Sequence, residues 1–211
     1  MDRRVVALLV SVMVAGCGGK GAGANDTAPE PEPTAPLPTG GIAGQAVAVY
    51  PLTLVTAEED LRWQPYLANR REALDRADSI LGSLLVERSP EVQWIGPDAL
   101  RRAAARAPGM LANPDQLGTA LLRGMEVERV PDPLRSQMRA LNGVVADRFA
   151  LVPAALIFRA APDGLGTAEL HLVLADVRSG LVGWRTVARG DGHDPWDALR
   201  VAVKSLTPGL P

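Results

Sequence analysis

The chain has 211 residues, of which 47 % are hydrophobic, 22 % charged and 4 % aromatic, and its formal net charge is −2. A faintly acidic chain has no general electrostatic attraction to nucleic acid, and so few aromatics leave no stacking platform for single strands. Its single cysteine cannot form an internal disulfide.

Met1-Asp2-Arg3-Arg4 leads into an apolar run, Val5 to Val14, broken only by Ser11 and closing on Ala15-Gly16-Cys17. A basic start, a short apolar stretch and small residues at its end form the secretory pattern. A spanning helix needs about 20 apolar residues, and this run falls well short. Val14-Ala15-Gly16-Cys17 resembles the bacterial lipobox. The resemblance implies that residues 1–16 are a lipoprotein signal peptide, that cleavage falls before Cys17, and that Cys17 carries a diacylglyceryl thioether. Two or three acyl chains anchor stably where one does not, so the membrane is an expected partner through the lipid on Cys17. Gly18 stands where an inner-membrane-retained lipoprotein commonly has aspartate. By the same resemblance, the expected location is the periplasmic face of the outer membrane.

Residues 17–43 read as the lipidated cysteine and a disordered tether. Gly, Ala, Thr and Pro dominate, and Pro29-Glu30-Pro31-Glu32-Pro33 has no apolar periodicity from which to build a core. Proline-rich chain favours extended polyproline II at about 3.1 Å per residue, so such a tether reaches on the order of 70 Å.

Residues 44–208 fit one domain. Ala46 to Leu52 reads as a strand, with Pro51 marking its end or a bulge. Residues 66–86 read as a helix, with Leu74, Ala77, Ile80, Leu81, Leu84 and Leu85 at three- and four-residue spacings. Arg70, Arg71, Glu72, Asp75, Arg76 and Asp78 are taken as its solvated face. Glu91 to Ile95 is a short strand, and Pro97 opens a helix to about Ala107, its missing N–H tolerated in the first turn. Residues 115–124 and 133–147 give two more helical stretches, the second with Asp132 as N-cap and Pro133 at its first position. Phe149 to Phe158 and Ala168 to Val177 are strands. In the second, Leu170, Leu172 and Leu174 share one face, and Glu169, His171 and Val173 the other. After the turn at Asp163-Gly164 and the tight connection Arg178-Ser179-Gly180 comes a third strand, Leu181 to Ala188, and then a helix from Pro195 to about Leu206. The expected fold is α/β: a single mixed sheet of about five strands packed with helices, a C-terminal three-stranded meander and a closing helix.

Asp176-Val177-Arg178-Ser179-Gly180-Leu181-Val182-Gly183-Trp184 resembles the Asp-x-x-Thr/Ser-Gly-x-x-x-Trp hairpin of the curli-secretion lipoprotein group and of the amino-terminal domain of the Tol-system propeller protein. The resemblance implies structural roles. Asp176 would bind turn N–H groups and Gly180 would supply the left-handed residue. It also implies envelope assembly or interaction rather than catalysis. Channel-forming members carry additional amphipathic segments with no counterpart here, so channel activity does not carry over.

No catalytic constellation is expected. The chain's two histidines, His171 and His193, lie outside any nucleophile-elbow or metalloprotease pattern, and Gly164-Leu165-Gly166 lacks the lysine and helix of a phosphate loop. The densest polar group is Asp191-Gly192-His193-Asp194. Asp191, His193 and Asp194 are the alternative site for a small-molecule-binding or hydrolytic role, although Asp194 before Pro195 is better read as a helix N-cap. Arg101, Arg102 and Arg106 read as a solvated basic stripe, and Trp63, Trp94, Trp184 and Trp196 as core or rim residues. No cofactor or metal is expected. The leading expectation is a non-enzymatic envelope lipoprotein that binds a protein partner or self-associates.

Overall fold

The computed structural model describes residues 34–146, 148–161 and 164–208. The expected signal peptide, Cys17, tether residues 18–33 and turn residue Asp163 lie outside the described residues. The domain is α/β, with one six-stranded sheet. In chain order its elements are α1 (Thr39–Ile42), β1 (Ala46–Val49), β2 (Val55–Ala57), α2 (Gln64–Leu67), α3 (Arg70–Arg88), β3 (Gln93–Ile95), α4 (Pro97–Arg106), α5 (Leu134–Val145), β4 (Phe149–Ala160), β5 (Gly166–Asp176), β6 (Leu181–Gly192) and α6 (Pro195–Lys204). Among the described residues no helix is long and apolar enough to cross a membrane.

The strand order is β3-β1-β4-β5-β6, with β2 also paired to β4. β1 runs parallel to β3 and β4, β2 runs parallel to β4, and β4, β5 and β6 form an antiparallel meander. The expected strand over 46–52 is interrupted. β1 pairs with β4 as far as Val49↔Leu151, and the chain rejoins β4 as β2 at Val55↔Leu156. Pro51 and Pro153 fall in the gap, neither has an N–H for a ladder, and β4 shifts register between Pro153 and Ala155. The sixth strand, β2, is the three-residue resumption, too short for a periodicity to announce it.

Helix α3 starts later than its apolar pattern suggests. Asn69 Oδ1 accepts the Glu72 N–H at 3.3 Å, leaving Gln64–Leu67 as a separate turn of helix. Ala73, Ala77, Ile80, Leu81, Leu84 and Leu85 form its buried stripe. The expected helix over 115–124 is instead two short 3-10 turns, Pro114–Gln116 and Thr119–Arg123, separated at Gly118. At α5 the N-cap position is Pro133, with no side-chain cap, while Asp132 Oδ1 accepts from Ser136 Oγ at 2.8 Å.

Two apolar layers sandwich the sheet. On one face Leu151, Leu156, Leu170, Leu172 and Leu174 join the buried residues of α3 and α6. On the other, Ala150, Val152, Val173 and Ala175 join Leu100, Leu122, Met138 and Leu141. Buried Tyr50 crosses into the second layer and donates to Asn142 Oδ1 at 2.8 Å, and Asn142 Nδ2 donates to Phe149 O at 2.9 Å. That burial raises the Tyr50 phenol far above its ordinary value.

The folded unit also begins before residue 44. Leu37 and Ile42 are 5 % and 3 % exposed, Leu37 N donates to Leu206 O at 2.8 Å, and Ala35 N donates to Thr186 Oγ1 on β6 at 2.8 Å. Residues 34–43, assigned to the tether, are thus a strap across β6 and the end of α6, because two large apolar side chains, Leu37 and Ile42, in a stretch otherwise of small residues, proline and threonine have core to enter.

Candidate functional site

The break between β1 and β2 creates the most polar interior of the domain. It leaves the Leu52 N–H without a ladder partner, and Asp78 Oδ1 on α3 accepts it at 2.8 Å. Asp78 is 7 % exposed, so it is no part of the solvated face expected for α3. Asp78 Oδ2 meets Arg101 Nη2 at 3.0 Å. Arg101 is likewise withdrawn from the expected basic stripe, with its side chain only 21 % exposed, while Arg102 and Arg106 remain exposed. Its Nε and Nη2 donate to Asp115 at 2.8–3.1 Å and its Nη1 to Asp98 at 3.0 Å. Asp75 Oδ1 lies 3.3 Å from Nη2, close enough for charge attraction but out of hydrogen-bond alignment.

Asp75, Asp78, Asp98 and Arg101 edge a cleft of about 410 Å³ together with Arg71, Ser79 and Pro97. Burial pushes the Asp78 carboxyl up to about 6, although the Leu52 N–H and Arg101 pull the other way. Burial also acts to raise Asp115, but hydrogen bonds and charge from Arg101 outweigh it and hold that carboxyl below its ordinary value. Among the described residues that line the cleft there is no imidazole and no thiol, and Ser79 is its one hydroxyl. Its ion pairs set four carboxylates, Asp75, Asp78, Asp98 and Asp115, against the two cations Arg71 and Arg101, and join α3, α4 and the stretch between α4 and α5. Among the described residues, no group of three or more His, Cys, Asp and Glu is placed to hold a metal ion.

At the β5–β6 turn, Asp176 Oδ1 accepts the N–H groups of Arg178 and Ser179 at 2.9 and 3.2 Å, and Gly180 has φ +78°. Burial would raise the Asp176 carboxyl, but the Ser179 N–H and Arg148, 2.9 Å away, hold it low. The turn also fastens a neighbouring segment. Val130 N donates to Gly180 O at 2.8 Å and Val182 N to Glu128 O at 2.9 Å. The Arg185 guanidinium donates to the carbonyls of Gly124 and Val127. Segment 124–130 therefore covers the start of β6. On this segment and the 3-10 turn before it, Leu122 is fully buried, whereas Leu121 and Met125 are 44 % and 65 % exposed.

Asp191, His193 and Asp194 do not converge, because β6 runs on past the expected end at Ala188 to Gly192 and places Asp191 on the strand opposite Thr167. Asp194 Oδ1 accepts the N–H groups of Trp196 and Asp197 at 2.8 and 3.0 Å, capping α6. Asp191 Oδ1 accepts from Thr167 Oγ1 at 2.6 Å, and His193 is exposed. His171 is half-buried on β5 with no partner for Nε2 among the described residues, and burial lowers its pKa. Its neighbour Glu169 is engaged by Arg159 at 2.8 Å and Arg189 at 3.2 Å.

No family model matches the chain, and no curated protein does. Among solved structures, a PelC dodecamer from Paraburkholderia phytofirmans is similar at 16 % identity and TM-score 0.40, covering 85 % of this chain and 96 % of that one. The LpoB C-terminal domain from Salmonella enterica is similar at 16 % identity and TM-score 0.37, covering 71 % and 83 %. Lipoprotein GNA1162 from Neisseria meningitidis is similar at 13 % identity and TM-score 0.32, covering 70 % and 80 %. At scores of this size the likenesses establish no shared activity.

Proposed function

We propose that the chain is an envelope lipoprotein, anchored through Cys17 to the periplasmic face of the outer membrane, whose domain acts without catalysis by binding another protein. Support for the anchor is the sequence Val14-Ala15-Gly16-Cys17 behind a short apolar run. The observation that carries the binding reading is the exposed pair Leu121 and Met125, four residues apart, with Met125 on the segment fastened by Arg185 and Leu121 on the 3-10 turn just before it. Single exposed apolar residues are ordinary. A fastened pair differs because little ordering cost remains to be met on binding, and methionine adapts readily to a partner surface. A non-catalytic role also agrees with Asp194 being used as a cap and Asp191 being held by Thr167.

The test is site-specific photo-cross-linking in intact cells from position 125. One discrete protein adduct is expected, absent when the probe is placed at exposed Val86 on α3, and lost when Leu121→Asp is added. An adduct pattern equal to that from position 86 overturns the binding surface. Separately, Cys17→Ser is expected to move the protein from the membrane pellet to the soluble fraction, and unchanged membrane partitioning overturns the anchor.

A further inference from the structure

The two helical layers that flank the sheet differ in charge. In one layer α3 carries four cations and four acids, and α6 two cations and one acid. In the other, α4 and α5 carry five arginines against Asp98 alone. Arg101 turns inward to Asp78, Asp98 and Asp115. That leaves Arg102, Arg106, Arg135 and Arg139, none of which enters an ion pair among the described residues. Arg102, Arg106 and Arg139 are exposed and Arg135 is half-buried. The acids that flank α5 in sequence, Asp132 and Asp147, are matched in number by Arg129 and Arg148.

Spacing adds to the repulsion. Arg102 and Arg106 lie four residues apart on α4, and so do Arg135 and Arg139 on α5, so each pair shares one side of its helix and repels. Arg135 also stands in the first turn of α5, where the helix dipole disfavours a cation. The two helices pack against each other over one face of the sheet, through Leu100, Met138 and Leu141, so their outer sides form one surface. Val144 on α5 is 59 % exposed and Met110, just beyond α4, is 84 % exposed.

We propose that the α4/α5 face docks on an anionic phospholipid surface, that of the membrane holding the Cys17 anchor, a placement that rests on the anchor reading. Unpaired guanidinium groups spread over two helices suit a surface of many anions better than a single one, and the apolar side chains among them match the boundary between headgroups and acyl chains. Because the whole chain is faintly acidic, the attraction belongs to this face and not to the net charge. The tether permits the arrangement. Thr34 is hydrogen-bonded to Val187 and Arg189 on the edge strand β6, and residues 18–33 span on the order of 50 Å when extended, enough to let either face of the sheet lie on the membrane.

The test uses the mature chain from residue 17, which keeps every residue of the domain, with Cys17→Ser so that no lipid is attached. It is expected to sediment at low salt with vesicles of phosphatidylcholine and phosphatidylglycerol, not with vesicles of phosphatidylcholine alone, and to be released as salt shortens the Debye length. Arg102→Gln with Arg139→Gln is expected to weaken binding about thirtyfold, at about fivefold per arginine near a charged surface. Arg200→Gln with Lys204→Gln removes as much charge from exposed positions of α6, more than a Debye length away across the sheet, and is expected to stay within about threefold of the parent. No preference for phosphatidylglycerol, undiminished binding of the α4/α5 variant, or an equal loss in the α6 variant each overturns the proposal. Tighter binding of poly-L-glutamate than of the vesicles, at equal charge, overturns it in favour of an acidic protein partner. Because the chain tested carries no lipid, these outcomes leave the Cys17 anchor to its fractionation test and the surface at Met125 to its cross-link.

Discussion

Asp78 and Arg101 are joined at 3.0 Å inside the domain, and the pair exists because two prolines interrupt the ladder around β4. Pro51 and Pro153 open the gap, Leu52 is left with an N–H to satisfy, Asp78 accepts it, and Arg101 neutralises Asp78. Removing the guanidinium leaves a buried carboxylate facing Asp75 and Asp115 with one cation fewer. Arg101→Leu is therefore expected to lower the unfolding free energy by about 3 kcal/mol or more. Arg102→Leu, on the exposed face of the same helix, is expected to change it by less than about 0.5 kcal/mol. Urea denaturation of the two variants at neutral pH measures the contrast.

The same carboxylate gives stability an unusual pH dependence. The folded-state value for Asp78, about 6, lies above its ordinary 3.8. Its contribution is complete below the ordinary value and lost as pH rises through about 6. Asp115, Glu169 and Asp176 are held low, so theirs is complete above the ordinary carboxylate values and lost as pH falls through the folded ones. Stability is expected to rise on acidification from pH 7 toward 5 and to fall further down. Asp78→Asn keeps the acceptor for Leu52 but does not titrate. It is expected to erase the rise, which between pH 7 and pH 5 amounts to about 1.3 kcal/mol at 1.36 kcal/mol per pKa unit, the full effect being reached only below the ordinary value. Denaturation midpoints of both proteins across that range decide it.

Where a single period governs a segment, the sequence disclosed the structure. Leu170, Leu172 and Leu174 alternate onto the face that packs α3 and α6, and the apolar spacing within α3 marks its buried stripe. Local hydrogen-bond chemistry was legible too, as at Asp194 before Pro195. What stayed hidden depends on partners distant in sequence. Asp78 sits among charged neighbours and is buried only because the backbone it serves lies 26 residues earlier. Leu121 reads as part of the helix over 115–124 and Met125 falls just past it, whereas the backbone there is held by Arg185, about 60 residues later, gripping the carbonyls of Gly124 and Val127.

The strap is the clearest such case and yields its own prediction. Composition places the start of the domain at 44, whereas Leu37 and Ile42 are buried before it. Each is worth about 1.5–3 kcal/mol, reduced by the compactness of the unfolded chain. A protein starting at residue 44 is expected to be less stable than one starting at residue 34 by about 3 kcal/mol. It would also uncover Thr186 and Val187 on the edge strand β6, which Thr34 and Ala35 now touch, and an exposed edge invites pairing between chains. Thermal unfolding and sizing of the two proteins test both consequences. Equal midpoints would show the strap to be dispensable.

The packing of α6 on the sheet depends on Gly190. A Cβ built there meets the backbone of α6 on three sides: Ala202 N, the Val201 carbonyl carbon at 2.6 Å and Ala198 O at 2.7 Å. Because these are backbone atoms of a helix, no rotamer change relieves the overlap, and the helix must move off β6. That displacement would open the layer containing Trp196, Leu199 and Val203, which interiors packed to crystal-like density do not tolerate. Gly190→Ala is expected to cost about 3 kcal/mol and to shift the Trp196 indole resonance. Gly183→Ala, on the same strand but with its nearest neighbour at 3.9 Å, is expected to stay within about 0.5 kcal/mol of the parent. If the two alanine variants unfold at the same urea concentration, close approach of α6 to β6 is not what requires glycine at position 190.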